Sequence, residues 1–379
     1  MKGTTSMQNL KDAAAKHLDT VTERTMRICE VPSPTGLEHH RAQFVASLFQ
    51  ELGYEPEIDD INNVYVRRGN KGGKAVMLLA HIDTVFPAGT EITVRRDDEW
   101  LYGPGIGDNA SNVASMITTL QILDELGIET DSDIIAVANV GEEGLGNLRG
   151  ARQAVERFQD ELGAVVVLDG RIGRVTTSAV GSVRWRVTVN GPGGHSYGAF
   201  GLPSAIHGLC RIGAAIADLK VPEQPKTTFN VGVIEGGTTV NSIAASANAI
   251  VDMRSESAQE LEKLVAQVRD IVDTRAGEGL ETEIELLGER PAGQQQETDP
   301  LIVKAAEGLR WVGYDPTFEA SSTDMNIPIS FGIPAVCVGV SEGERGHTVH
   351  ESIRIAPFEQ GLALAVRLSI DATDWVAKG

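Results

Sequence analysis

Apolar residues recur at helical spacing through Leu10, Ala14, Leu18 and Val21, and again through Phe44, Leu48 and Leu52 before Gly53. This predicts two helices in the first fifty residues. The segment 31–36, Val-Pro-Ser-Pro-Thr-Gly, separates them as a loop. After Gly53 the pattern shortens into strand-like runs at 64–67 and 74–80, the second apolar on both faces like a buried strand. Residues 111–126 read as a helix, 133–140 as another buried strand, 148–158 as a helix and 163–168 as a strand. Such alternation predicts a mostly parallel sheet covered on both faces.

The texture changes near Val183, where Val183, Trp185, Val187 and Val189 alternate with polar residues, as in a sheet with one wet face. A helix at 204–219, strands at 228–235 and 245–254, a helix at 258–274 and a strand at 281–287 follow. The order β-α-β-β-α-β is that of a ferredoxin-like split βαβ sandwich. Its flanks, 170–182 and 288–300, read as two linkers crossing between domains. The α/β texture then resumes with a helix at 301–312, a buried strand at 335–340 and a final helix from Phe358. The fold class is therefore α/β: a larger domain of residues 1–177 and 292–379, mostly parallel, with an α+β domain of residues 178–291 inserted in it.

Composition narrows the chemistry. Against 53 Asp+Glu stand 33 Lys+Arg, a net charge of −20, which argues against a nucleic-acid or anionic-membrane partner. The strongest apolar runs, 76–80 and 164–168, are far shorter than the roughly 18 residues of a membrane span. The N-terminus has no continuous apolar stretch to act as a signal peptide, so the cytoplasm is the expected location. Three scattered cysteines, Cys29, Cys210 and Cys337, form neither a disulfide framework nor a zinc-knuckle spacing. Any metal must be held by histidine and carboxylate.

Those residue types collect where an open α/β sheet places its ligands, beyond the carboxyl ends of the strands. The run 74–80 leads into His81-Ile-Asp83, and the glycine-rich turn 103–107 delivers Asp108 to a helix start. The run 133–140 leads into Gly141-Glu142-Glu143, 163–168 into Asp169, and 335–340 towards His347-Thr-Val-His350-Glu351. Imidazole and carboxylate without thiolate suit Zn²⁺, with Co²⁺ or Mn²⁺ as substitutes. The set is large enough for two metals sharing a bridging carboxylate. Adjacent side chains diverge, so one of Glu142 and Glu143 can bind metal while the other serves as general base. Asp83 is placed to hold the far ring nitrogen of a ligand histidine.

Over most of its length, inserted domain included, the sequence resembles the dinuclear-zinc exopeptidases and deacylases, the family of glutamate carboxypeptidase, acetylornithine deacetylase, succinyl-diaminopimelate desuccinylase, aminoacylase and peptidase T. The resemblance implies a cocatalytic two-zinc amidohydrolase acting on a peptide or an N-acyl amino acid. An exopeptidase is favoured, and a deacylase of the acetylornithine type is the alternative. It implies that His81 and Asp169 bind one zinc, Glu143 and His347 the other, and Asp108 both, with Asp83 behind His81 and Glu142 as general base. The family's His-x-x-Asp-Glu pattern puts the ligand at His347; His350 stands where the Asp is usual and is the fallback. Asn109-Ala110-Ser111 departs from the Lys or Met plus Gly that often follows the bridging Asp. Gly193-Gly-His195-Ser196 resembles the motif whose histidine stabilises the tetrahedral intermediate, commonly across a dimer. Gly236-Gly-Thr-Thr-Val-Asn241 and Asp252-Met-Arg254 resemble the segments that handle the substrate carbonyl and carboxylate. A homodimer through the inserted lid domain is expected. Asn241 lies on the turn between two predicted strands, thirteen positions before Arg254, so a hairpin is expected to bring both side chains to one end of the sheet, facing the metals.

Two rivals are weaker. Gly339-Val-Ser341-Glu-Gly343 matches a nucleophile elbow, but the acids and histidines after it are too close in sequence for a triad. An inactive binding homologue fits poorly with retention of all six metal-site groups. His17, His39, His40 and His207 are read as structural.

Overall fold

The computed structural model describes residues 7–378. The chain divides into two compact units, one built from the residues up to Ser178 and from Gln295 onward, the other from Ala179–Gln294.

The larger unit is organised by one sheet. Its strands lie in the order Glu57–Ile58, Val64–Arg68, Ile134–Asn139, Ala75–His81, Leu162–Leu168, Ala335–Val338 and Arg174–Ala179, and Thr317–Ser321 pairs with the last. The four from Ile134–Asn139 to Ala335–Val338 are parallel. Val64–Arg68 and Arg174–Ala179 flank them antiparallel. Every residue of Ala75–His81 and Ile134–Asn139 is buried, as strands covered on both faces require. Val76, Leu78 and Ala80 join the core shared with the helices Asn112–Glu125 and Pro357–Val376. Met77 and Leu79 point the other way, into the core with Ala151 and Val155 of the helix Arg149–Phe158. Truncating Leu78 to Ala would cost about 2–5 kcal/mol, because the site cannot collapse. With four parallel strands in register, their carboxyl ends open along one edge.

The inserted unit is an antiparallel sheet in the order Thr227–Gly236, Ser246–Ser255, Gly181–Asn190, Glu281–Arg290. Counted along the chain this is 2-3-1-4, the split βαβ arrangement. Val183, Trp185, Val187 and Val189 are buried with Leu209 and Ile212 of Ala205–Ala217 and with Leu264 and Val268 of Ala258–Arg275. The second helix begins in a capping pattern, with Ser257 Oγ accepting the Glu260 N–H at 3.4 Å.

Several expectations change. The first predicted helix is two, Met7–Lys16 and Leu18–Cys29, broken at His17, whose Nε2 lies 3.0 Å from Glu125 Oε2. The break leaves Leu10, Ala14 and Val21 all in the core, so periodicity alone could not show it. Part of the expected linker 170–182 is the strand Arg174–Ala179 of the main sheet, masked by its polar Thr-Thr-Ser centre. A small sheet of Arg95–Arg96, Trp100–Tyr102, Ser352–Arg354 and Gly343–Glu344 was unforeseen, its strands being too short to carry a period. Among the described residues no helix is long and apolar enough to cross a membrane.

Candidate metal centre

His81 is the last residue of its strand, with its side chain buried. Its Nδ1 lies 3.1 Å from the Asp83 carbonyl oxygen, which fixes the ring. Its Nε2 lies 3.1 Å from Asp108 Oδ1 and 4.0 Å from Asp169 Oδ1, yet makes no hydrogen bond. A buried nitrogen that faces two carboxylates without a hydrogen bond fits the donor chemistry of a metal ligand. Asp83 does more than the sequence suggested. Its carboxylate, 3.5 Å from His81 Nδ1, accepts the N–H groups of Glu142 and Glu143 at 3.0 Å each and the Thr35 hydroxyl at 2.9 Å. One buried acid therefore sets the imidazole and both glutamates.

Asp108 is delivered by the glycine turn, and the turn is held by a residue to which the sequence assigned no role. Glu351 is buried and accepts three backbone N–H groups at 2.9 Å: Gly105 on Oε2, Gly107 and Asp108 on Oε1. A Cβ at position 107 would stand 2.8 Å from Glu351 Oε1, so this approach requires glycine. The Asn-Ala-Ser departure also has a structural use. Asn109 Nδ2 donates to the Leu168 carbonyl at 3.0 Å, and Ser111 Oγ lies 3.2 Å from Ser341 Oγ. Ser341 is buried and its hydroxyl faces another serine, which removes the nucleophile-elbow reading.

Across from His81, His347 Nε2 lies 2.9 Å from Asp108 Oδ2 and 3.3 Å from Glu143 Oε1. His347 reaches this position with φ 62°, a conformation that costs a non-glycine residue energy and is concentrated at functional sites. His350 is exposed and belongs to no donor cluster among the described residues. Two donor sets share Asp108: His81, Asp108 and Asp169, and Asp108, Glu143 and His347, each with its atoms within 4.8 Å of one another. Among the described residues Glu142 clusters only with His81 and Glu143.

The electrostatics are those of a site that favours positive charge. Burial and the charges of Asp108, Asp324 and Glu143 push Asp169 up to about 7. Hydrogen bonds to Asp108 and Glu143 push His347 up to about 11. Burial opposes a charge on His81, but Asp108, Asp83 and Asp169 outweigh it and raise its pKa. Burial likewise opposes ionised Asp108, but His347 and His81 hold it below the usual carboxylate range. Divalent metal fits this donor set and would replace those protons.

In the inserted unit, His195 and Asn241 come together. Gly194–His195 pairs with Ser242–Ile243, and the Ser196 N–H donates to the Asn241 carbonyl at 2.9 Å. Arg254 does not join them. It pairs with Thr228 near the far end of Ser246–Ser255, and its Nε is held by Asp252 Oδ2 at 2.7 Å. The hairpin expectation fails because the strand is ten residues long and runs the length of the sheet, putting roughly 30 Å between its ends.

Residues 77–371 match the model of peptidase family M20/M25/M40. The chain is 27% identical over 349 residues to a succinyl-diaminopimelate desuccinylase of Corynebacterium glutamicum, covering 89% of this chain and 91% of that one. An aminopeptidase PepT from Bacillus cereus superposes with TM-score 0.78 at 24% identity, covering 94% and 99% of the two chains. A tripeptidase from Staphylococcus aureus does so with TM-score 0.80 at 22% identity, over 96% and 99%. The chain belongs to peptidase family M20/M25/M40 and is a metallohydrolase of that family.

Proposed function

We propose that this protein is a dinuclear-metal amidohydrolase that cleaves a peptide or an N-acyl amino acid. The observation that carries the reading is Asp108, whose two oxygens face His81 Nε2 at 3.1 Å and His347 Nε2 at 2.9 Å, the disposition of a bridging carboxylate. His81 and Asp169 complete one site, Glu143 and His347 the other. Imidazole and carboxylate donors without thiolate favour zinc, with cobalt or manganese as substitutes. Two such ions, when bound, acidify water and polarise the scissile carbonyl.

Glu142 is the general base. Among the described residues it shares no donor set with Asp108, and the hydrogen bond from its N–H to Asp83 fixes its backbone beside Glu143. It accepts the proton of the attacking water and returns it to the leaving amine. We assign His195, which pairs with Ser242, and Asn241, whose carbonyl accepts the Ser196 N–H, to the developing oxyanion and the substrate carbonyl. We keep Arg254 as a candidate carboxylate contact.

The inserted unit is proposed to carry a homodimer. Val233 and Ile234 are exposed on its edge strand Thr227–Gly236, an edge that a second copy would cover. Deacylation has at least as much support as the exopeptidase reading, since the C. glutamicum relative is named a desuccinylase. The test is turnover of dipeptides, tripeptides, N-acetyl and N-succinyl amino acids by the zinc- or cobalt-loaded enzyme. Activity that chelation abolishes and metal restores is expected, and activity that survives full metal removal would overturn the reading.

A further inference from the structure

Resting on that reading, we infer that Arg171 recognises a carboxylate of the substrate in a pocket beside the metal centre. A cavity of about 320 Å³ is walled by Asp108 and His347 of the centre and by Arg171, Ser341, Glu344 and Gly346. That is room for a small substrate group next to the scissile bond.

The chain places Arg171 there by its own course. Two residues after Asp169, Arg171 forms a parallel bridge with Ser341, and the Ile172 N–H donates to the Ser341 carbonyl at 3.0 Å. The wall is left open: a Cβ at Gly170 or Gly346 would meet nothing within 4 Å. Among the described residues no hydrogen bond or ion pair engages the Arg171 guanidinium, whereas Arg174 is bound to Glu319 and Arg254 to Asp252. Arg171 is thus the unspent cation of the pocket, and a guanidinium presents a planar fork suited to a carboxylate.

The other charges on the wall fit this assignment. Glu351 is committed to three backbone N–H groups and Asp108 to the metal centre. Glu344 is exposed; it repels a second carboxylate and leaves Arg171 as the point of attraction. The pocket therefore suits a substrate end bearing a single carboxylate, whether the far acid of a dicarboxylic acyl group or the α-carboxylate of the amine product.

Two substrate pairs distinguish these sources with the zinc-loaded enzyme: the N-succinyl and N-acetyl forms of one amino acid, and a dipeptide and its C-terminal amide. In Arg171→Ala the preference for the acid member of one pair, as a ratio of kcat/KM, should fall about 10–100-fold, mainly through KM, and Arg171→Lys should recover part of it. The pair that responds identifies the end bound. Unchanged ratios in both pairs, or loss of the preference in Arg254→Ala instead, would overturn the assignment. If the wild type turns over no member of either pair, it is the amide-hydrolase reading that fails. Calorimetric binding of succinate and of the free amino acid then decides on Arg171: binding weakened by a similar factor in Arg171→Ala supports it, equal binding refutes it.

Discussion

The carboxylate of Glu351 accepts the backbone N–H of Asp108 at 2.9 Å, across 243 positions of sequence. Asp108 is the residue that faces both histidines, so its position between them is set from the C-terminal part of the chain. The loop 343–351 also carries His347, which ties the two halves of the centre to one support.

Glu351→Ala should therefore disturb the metal centre without removing any donor atom. Each buried N–H left without an acceptor costs about 1–3 kcal/mol, and three lose theirs. Weaker metal binding by titration and a lower Tm of the metal-free protein are expected together. Glu351→Gln, which can still accept through one oxygen, should fall between. Wild-type metal affinity in Glu351→Ala would show that the turn holds itself.

Much of this was legible in the sequence because the α/β sheet speaks twice. Runs such as 74–80 announce a buried strand by composition, and the residues that follow them are the ones the fold brings to one edge. Glu351 escaped notice because what it does is accept backbone N–H groups, which no side-chain pattern records. Arg171 escaped for a related reason, since only the cavity shows which exposed arginine faces the metal ligands. The opposite error, joining Asn241 to Arg254, came from counting positions between them without knowing that the strand spans the whole sheet.

Glu142, as a base, should be dispensable for metal binding. Glu142→Gln is expected to keep the wild-type metal content and to lose turnover by at least the roughly 10²–10⁴ of general-base catalysis. Substantial metal loss would mean that Glu142 and Glu143 exchange roles.

His347→Ala should lower metal content and activity together, whereas exposed His350→Ala should leave the metal content intact. Elemental analysis of both variants checks this. The reverse pattern would move the ligand to His350.

The pH dependence follows from the protons held by the buried acids at and beside the centre. Asp169 is raised to about 7 from an unfolded value near 4, so its contribution to stability is complete below pH ~4 and is lost as pH rises through about 7. Glu351, raised to about 7 by burial and by Asp108 despite its hydrogen bonds, acts in the same direction. The metal-free protein should thus weaken between pH 4 and 7 while metal binding, freed from proton competition, strengthens. The gap in Tm between zinc-loaded and chelated protein should widen from pH 5 to pH 8. A gap that narrows would contradict the placement of these acids at the metal centre.

The proposed dimer makes a prediction that concerns catalysis as well as mass. Tyr197 and Phe200 are 89% and 91% exposed, and Val240 is also fully exposed, all close in sequence to His195 and Asn241. Large apolar side chains left in water around a polar motif mark a surface that meets another molecule. If that molecule is a second copy, His195 completes the partner's centre, and neither His195→Ala nor Glu142→Gln should be active alone. Mixing the two inactive variants under conditions of subunit exchange should restore activity. Half of the randomly formed dimers are mixed and each holds one intact centre, so the ceiling is about a quarter of the wild-type rate. A histidine acting within its own chain would give no recovery at any mixing ratio. Native mass spectrometry of the same mixtures shows whether mixed dimers formed, because the two variants differ in mass, so that an absence of recovery with mixed dimers present counts against action across the interface.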